Sequence, residues 1–251
     1  MNINMLKINP KTETEKIIKF IKKTLRDQGF KKVVLGLSGG IDSSTCLILL
    51  RKTLKPNNIN VLLLPYGNKN LNLGKLVLAQ ANIPIKNIKV INIKPLVDQF
   101  KIKNKLRKAN LMARIRMILL YNQAKKEKAL VCGTENKSEH VLGYYTRFGD
   151  QASDLEPIIH LYKTQVYKLA KYLKIPSPII NKPPSADLWL GQTDKKELGF
   201  TYLEADPVLY LYLNRKLKGK EIKKKGYKKV EKIVKRVKTN QFKEKTPYSL
   251  K

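Results

Sequence analysis

Residues 31–50 read KKVVLGLSGGIDSSTCLILL, and this stretch decides the fold. Val33 to Leu37 is an apolar run rich in β-branched residues, which predicts a buried strand. A Ser-Gly-Gly turn follows, and an apolar-periodic segment opens directly behind Asp42 and Ser43. The order is strand, loop, helix. Two glycines let the backbone pass close to a bulky anion. The N–H groups of the loop and the first helical turn then point at it, with the helix dipole behind them. Ser38 and Ser43 add hydroxyl donors, and Asp42 supplies a carboxylate suited to Mg²⁺ beside phosphates. The stretch predicts a phosphate cradle.

Outward from the loop, strands and helices alternate. A helix is predicted from about Thr12 to Gln28, with Ile17, Ile18, Phe20, Ile21 and Leu25 on one side, Thr12 and Thr14 as candidate N-caps and Gly29 as C-cap. Beyond the loop helix, Val61 to Pro65 reads as a second strand, Lys75 to Ala81 as part of a helix and Lys89 to Ile93 as a third strand. A long amphipathic helix over Asn104 to Lys126 precedes a short strand, Ala129 to Cys132. Apolar strands alternating with helices predict an α/β fold, a parallel sheet covered by helices on both faces. In such sheets ligands lie beyond the carboxyl ends of the strands, where SGGIDSS and GTENKSE emerge. From Gly143 to Ser185 strands are few, and one helix is predicted within LYKTQVYKLAKYLKI. Asp187 to Phe200 reads as an ordered loop, followed by helices over about Leu203 to Lys216 and Tyr227 to Lys238. Residues 239–251 form a tail whose composition is compatible with fraying.

Length and composition fit one domain spanning residues 1–251, with 42% hydrophobic content to fill its core. No run approaches the ~18 apolar residues of a membrane span and no leader pattern opens the chain, so a cytoplasmic protein is expected. Cys46 and Cys132, the two cysteines, fall in a predicted helix and strand without metal-ligand spacing. Both are expected to be reduced core residues. The net charge of +33 could signal a polyanionic partner such as tRNA. Only 8 of the 52 basic residues are arginine, however, and lysines occur in every segment. A solvated basic surface is the preferred reading, with nucleic acid not expected as a partner.

The loop is not a Walker A motif, because no lysine follows its glycines. SGGIDSS resembles the pyrophosphatase variant of the P-loop, the PP-loop of enzymes that split ATP into AMP and pyrophosphate. Further motifs resemble the NAD synthetase family in order and spacing: ARIRM (Ala113 to Met117), GTENKSE, YYTRFGD, LYKTQVYKLA and PPSADLWLGQTDKKELGF. The last is particularly like the short archaeal-type, ammonia-dependent members. This resemblance implies a Rossmann-like sheet of the adenine nucleotide alpha-hydrolase type and amidation of deamido-NAD to NAD.

Residue by residue, the resemblance implies ATP contacts at Gly36, Leu37, Ser38, Gly39, Gly40, Ile41, Asp42, Ser43, Thr134, Lys163 and Ser185. It implies Mg²⁺ ligation by Asp42 and Glu139. It implies deamido-NAD contacts at Arg114, Arg147, Asp154 and, if Pro247 aligns with the family's proline, Lys243. Arg116 lies about 200° from Arg114 on an ideal helix, so Arg114 is preferred. Two departures stand out: Gln151-Ala152 replaces a Gly-Gly pair, and Phe242 replaces a histidine beside Lys243. Phe242 could only pack or stack.

The implied chemistry is adenylation of the nicotinate carboxylate followed by attack of ammonia, achieved by positioning and charge stabilisation. His140 and His160 are read as structural, and Asp150 and Asp154 both stand as candidates for deprotonating ammonium. A glutamine amidase domain would need a couple of hundred residues of its own, so free ammonia is the expected donor. A homodimer is implied, with Tyr144, Tyr145, Phe148 and Leu119-Leu120 offering apolar surface. The rival reading is a PP-loop tRNA-modifying enzyme, a thiolase or lysidine synthetase, which would explain the charge and leave ARIRM and ADLWLGQTD unexplained. A nucleotide sensor without catalysis is disfavoured by the intact Asp42 and Glu139.

Overall fold

A computed structural model describes residues 3–68, 71–189, 191–244 and 248. The chain alternates as expected through α1 (Pro10–Asp27), β1 (Lys32–Gly36), α2 (Ile41–Thr53), β2 (Ile59–Leu63), α3 (Asn72–Gln80), β3 (Ile88–Val90), α4 (Lys94–Asp98), α5 (Lys105–Glu127) and β4 (Ala129–Cys132). The second half is helical: α6 (Lys137–Leu142), α7 (Lys163–Tyr172), α8 (Ser177–Ile180), α9 (Asp194–Leu198), α10 (Tyr202–Leu209), α11 (Gly219–Lys224) and α12 (Val230–Asn240).

The sheet is wholly parallel with strand order β3-β2-β1-β4. β1 therefore pairs with β2 on one side and β4 on the other, and the order reverses between β1 and β4. That switch opens a crevice at the carboxyl ends of these strands, where open α/β sheets take their ligands. β1, β2 and β4 are apolar and enclosed, as parallel strands between helical layers must be. β3 departs from that pattern because it is the edge strand, with Val90 58% exposed. Beyond β4, Leu155 forms a single parallel bridge with Cys132.

Among the described residues three apolar clusters hold the chain. One packs α1, α2 and α7 on one face of the sheet; a second packs α5 on the other, through Val34, Leu62, Met112, Ile115 and Val131. The third, built from Leu142, Phe200, Val208, Leu209, Ile233 and Val237, lies in the helical second half and takes in Leu6 from the N-terminal turn. Cys46 and Cys132 are buried free thiols of the first cluster, and burial pushes the Cys46 proton affinity well up. Among the described residues no helix is long and apolar enough to cross a membrane.

Several local expectations are corrected. α1 starts earlier than Thr12 because Asn9 Oδ1 accepts from the backbone N–H groups of Lys11 and Thr12 and Pro10 fits the first helical turn. Phe20 is 43% exposed rather than part of the buried stripe. The helix predicted to Lys216 ends as α10 at Leu209 and continues as a π-helical turn, Tyr210–Asn214. In the tail, α12 runs to Asn240 and a 3₁₀ turn covers Gln241–Lys243, while Pro247 lies outside the described residues. Of the apolar residues expected at the surface, Tyr145 is buried, and Tyr144, Leu119 and Leu120 pack against the chain's own clusters. Phe148 is 52% exposed.

Candidate active site

The phosphate loop fastens itself. Leu37 N–H donates to Leu62 O at 2.9 Å, carrying the ladder one residue past β1. Gly39 then takes φ 76°, and a Cβ there would fall 3.1 Å from Gly74 N and 3.2 Å from Leu73 Cβ, so the turn rests directly on the start of α3. Ser38 Oγ and Ser43 Oγ lie 3.0 Å apart, and Gly40 N–H donates to Ser38 Oγ at 3.2 Å. Leu37 and Ile41 are buried in the first cluster, which anchors the turn on both sides. Gly36 ends β1, and Gly40 caps α2 without a side-chain hydrogen bond. The first N–H groups of α2 are thus available to an anion.

Below the loop, Lys163 joins the two halves of the molecule. From the start of α7 its ammonium donates to Asp42 Oδ2 at 2.6 Å and Glu139 Oε1 at 2.8 Å. The carboxylates assigned to a metal and the lysine assigned to phosphate therefore share one centre. Its side chain is 3% exposed. Burial opposes the Lys163 charge, but Asp42, Glu139 and Asp194 outweigh it and raise the proton affinity. Burial pushes Glu139 up to about 8 against the attraction of Lys163.

The support around this centre was not singled out in the sequence. Asn136 donates through Nδ2 to Asp42 Oδ1 at 3.1 Å while its Oδ1 accepts from Glu139 N–H at 3.1 Å, so one amide caps α6 and aims Asp42. Asp206, fully buried in α10, accepts from Ser138 Oγ at 2.6 Å and Thr164 N–H at 2.8 Å. Ser138 Oγ in turn accepts from Lys163 N–H at 2.8 Å. This fixes the first turn of α7. Asp194 Oδ2 accepts from the Tyr202 hydroxyl at 2.9 Å. Asn136 carried a signal, an N-cap residue three positions before Glu139. Asp206 carried a fainter one, a lone acid in the apolar run ADPVLYLYL.

The remaining assigned residues fall into three places. Arg114 is exposed on α5 and donates through Nη2 to Arg147 O at 3.2 Å, whereas Arg116 turns inward and donates to Leu64 O at 3.0 Å. Lys243 donates to Gly143 O at 2.6 Å and Tyr145 O at 2.9 Å, beside the Arg147 loop. Asp154 lies past β4, where Oδ2 accepts from Val131 N–H at 2.7 Å. Thr134 is half-buried behind β4. Ser185 sits in a separate loop, donating to Gln192 O at 2.8 Å and accepting from Asp187 N–H at 3.0 Å. His160 pairs with Glu13 at 2.7 Å, and His140 stacks on Tyr145 near Glu135.

This arrangement can do a definite kind of chemistry. A backbone anion cradle opens beside two carboxylates and a buried cation, and Arg147 stands in the loop after α6 with Arg114 of α5 on its carbonyl. Phosphoryl-bearing ligands are what such a crevice can hold and polarise.

Comparison with known proteins converges on one group. The sequence profile of the NAD synthase family matches residues 13–247. The NH(3)-dependent NAD(+) synthetase of Fusobacterium nucleatum is 43% identical over 98% of this chain and 97% of its own. Among solved structures, NMN synthetase from Francisella tularensis superposes with a TM-score of 0.80 at 32% identity, covering 98% of this chain and 99% of that one. The NH3-dependent NAD synthetase from Campylobacter jejuni gives 0.78 at 33% identity, over 97% and 100%. Motifs, parallel sheet and whole-length similarity agree: the chain belongs to the NAD synthase family.

Proposed function

We propose that the protein is an ammonia-dependent NAD synthetase, which joins ammonia to the nicotinate carboxylate of deamido-NAD at the expense of ATP. One observation carries the reading: the loops behind β1 and β4 converge on Lys163, putting Asp42 and Glu139 beside a phosphate cradle. A carboxylate oxygen of deamido-NAD attacks the α-phosphorus, the bond to pyrophosphate breaks, and pyrophosphate leaves into the Ser38–Ser43 loop. Ammonia then attacks the acyl carbon and AMP departs with the former carboxylate oxygen. The chain's part is to bind, align and neutralise. The Ser38–Ser43 loop receives the phosphates, Lys163 holds positive charge below them, and Arg114, Arg147 and Lys243 stand on the side assigned to the dinucleotide. Asp150 and Asp154, both exposed, are the two carboxylates suited to taking a proton from ammonium.

Mg²⁺ fits the donor set: Asp42 and Glu139 offer hard oxygens already gathered on one cation, and ATP phosphates can complete the shell. Bound there, the ion would screen the phosphates and stabilise the charge of leaving pyrophosphate. The reading extends to a single-domain, cytoplasmic homodimer that uses no nucleic acid.

A mononucleotide substrate is the second reading, favoured by the likeness to the Francisella protein. The deciding experiment supplies purified protein with ATP, Mg²⁺, ammonium and either deamido-NAD or nicotinate mononucleotide. The proposal expects NAD, with AMP and pyrophosphate in equal amounts, and slower use of the mononucleotide. Amidation of the mononucleotide alone would replace it with the second reading.

A further inference from the structure

Arg147 is held on three sides. Its guanidinium lies 5.6 Å from the ring of Phe148 and 5.5 Å from the ring of Phe242. Both rings are about half exposed. Phe148 takes φ 57°, a left-handed backbone that a bulky residue adopts only at a cost, and such strain gathers where function needs it. From α5, Arg114 holds the Arg147 carbonyl.

The turn bearing Phe242 is itself fastened to the Arg147 loop. Lys243 donates to the carbonyls of Gly143 and Tyr145 and stands 5.1 Å over the Tyr145 ring. Arg236 Nε donates to Leu142 O at 3.2 Å. Gly143 has φ 60°, and a Cβ there would fall 2.3 Å from Asn240 Cβ, so glycine is what lets α12 close on this loop. Lys243 thus has a structural employment beside its assigned one, and Phe242 is carried to Arg147 by it.

A guanidinium presents its face to an aromatic ring and keeps the N–H donors on its edge. Those edge donors match carboxylate or phosphate oxygens in pairs. Stacking on Phe242 removes rotamer freedom that a solvent-exposed arginine would otherwise lose on binding.

We propose that Phe242 is a positioning residue: it stacks on Arg147 and pre-sets that guanidinium for an anionic group of deamido-NAD. The proposal rests on reading Arg147 as a contact of that substrate. Phe242→Ala and Phe242→Leu should raise the KM for deamido-NAD about two- to fivefold, the scale of an exposed cation–π contact. The KM for ATP should stay level and kcat should change less than the KM for deamido-NAD. Phe242→Trp should restore the wild-type value, because it keeps a ring face. In an Arg147→Ala background, Phe242→Ala should add nothing.

Calorimetric titration with deamido-NAD and a melting curve on each variant separate the causes. If Phe242→Leu binds as well as Phe242→Trp, or if the variants differ from wild type only in melting temperature, the positioning role is overturned. If Arg147→Ala itself leaves deamido-NAD binding unchanged, the substrate reading of Arg147 falls first and the proposal with it. If Arg147→Ala weakens binding and Phe242→Ala does not, the proposal alone falls.

Discussion

The phosphate loop and the helical half that closes on it are built by opposite means. Every loop contact among Ser38, Gly40 and Ser43 joins residues within five positions of each other. The other side is assembled over long separations: Lys163 reaches Asp42 across 121 residues, and Ser138 reaches Asp206 across 68. A turn made by neighbours keeps its shape when one side chain changes. A centre made by distant partners shares its stability with its function. Substitutions in the two regions should therefore separate rate from fold.

The largest effect is expected on the loop side. Asp42→Asn keeps the shape and removes a charge that offsets Lys163 and serves the proposed metal. It should lower kcat by about 10²–10³-fold, the range for removing one preorganised electrostatic group. Melting should fall as well, because Asp42 is also an acceptor of the buried Lys163 ammonium. Ser38→Ala, whose side-chain contacts stay within the loop, should lower kcat with melting little changed, and loss of fold and rate together in that variant would erase the contrast between the regions.

On the helical side the expected loss is one of both kinds. Asp206→Ala leaves Ser138 and Thr164 N–H without their buried acceptor and should cost about 2–4 kcal/mol of stability. Because Ser138 also accepts from Lys163 N–H, kcat should fall as well. Denaturant melts beside steady-state rates check this. Unchanged stability would mean that the Asp206 network is dispensable.

A smaller effect should appear as a pH slope. Burial raises Glu156 from 4.5 to about 8, against the pull of its Ser153 hydrogen bond. Between those values the folded chain holds a proton that the unfolded chain has released. Stability should therefore fall as pH climbs from 4.5 to about 8 and level off above. Asp206, raised by burial to about 6, adds slope in the lower part of that window. Glu156→Gln should flatten the curve of melting temperature against pH. Parallel curves for variant and wild type would show that Glu156 does not titrate as its surroundings imply.

The smallest effect belongs to neither region. The lysine surface should be a bystander, so added tRNA should leave NAD formation unchanged and any RNA binding should weaken steeply with salt. Tight binding to one tRNA at physiological salt would reopen the rival assignment.

What was legible in the sequence follows the same division. SGGIDSS gave its own conformation because glycine, serine and the start of α2 act locally, and the apolar runs of β1, β2 and β4 gave the parallel sheet. The edge position of β3 was hidden, since strand order depends on pairing partners that no single segment names. Glu139 and Lys163 were reached through resemblance alone, as one glutamate and one lysine in a chain with 52 basic residues. Asp206 and Asn136 went unread because their meaning lies in what they meet. The cap of α1 is Asn9 rather than Thr12 or Thr14, because Pro10 directly behind it fits the first helical turn.

In the proposed reaction these two regions meet to let a carboxylate attack the α-phosphorus of ATP. It is tested most directly by turnover of deamido-NAD carrying ¹⁸O in the nicotinate carboxylate, with mass spectrometry of the products. One ¹⁸O should appear in AMP for every NAD formed and none in pyrophosphate. Label in orthophosphate with ADP as co-product, or unlabelled AMP beside NAD, would contradict it.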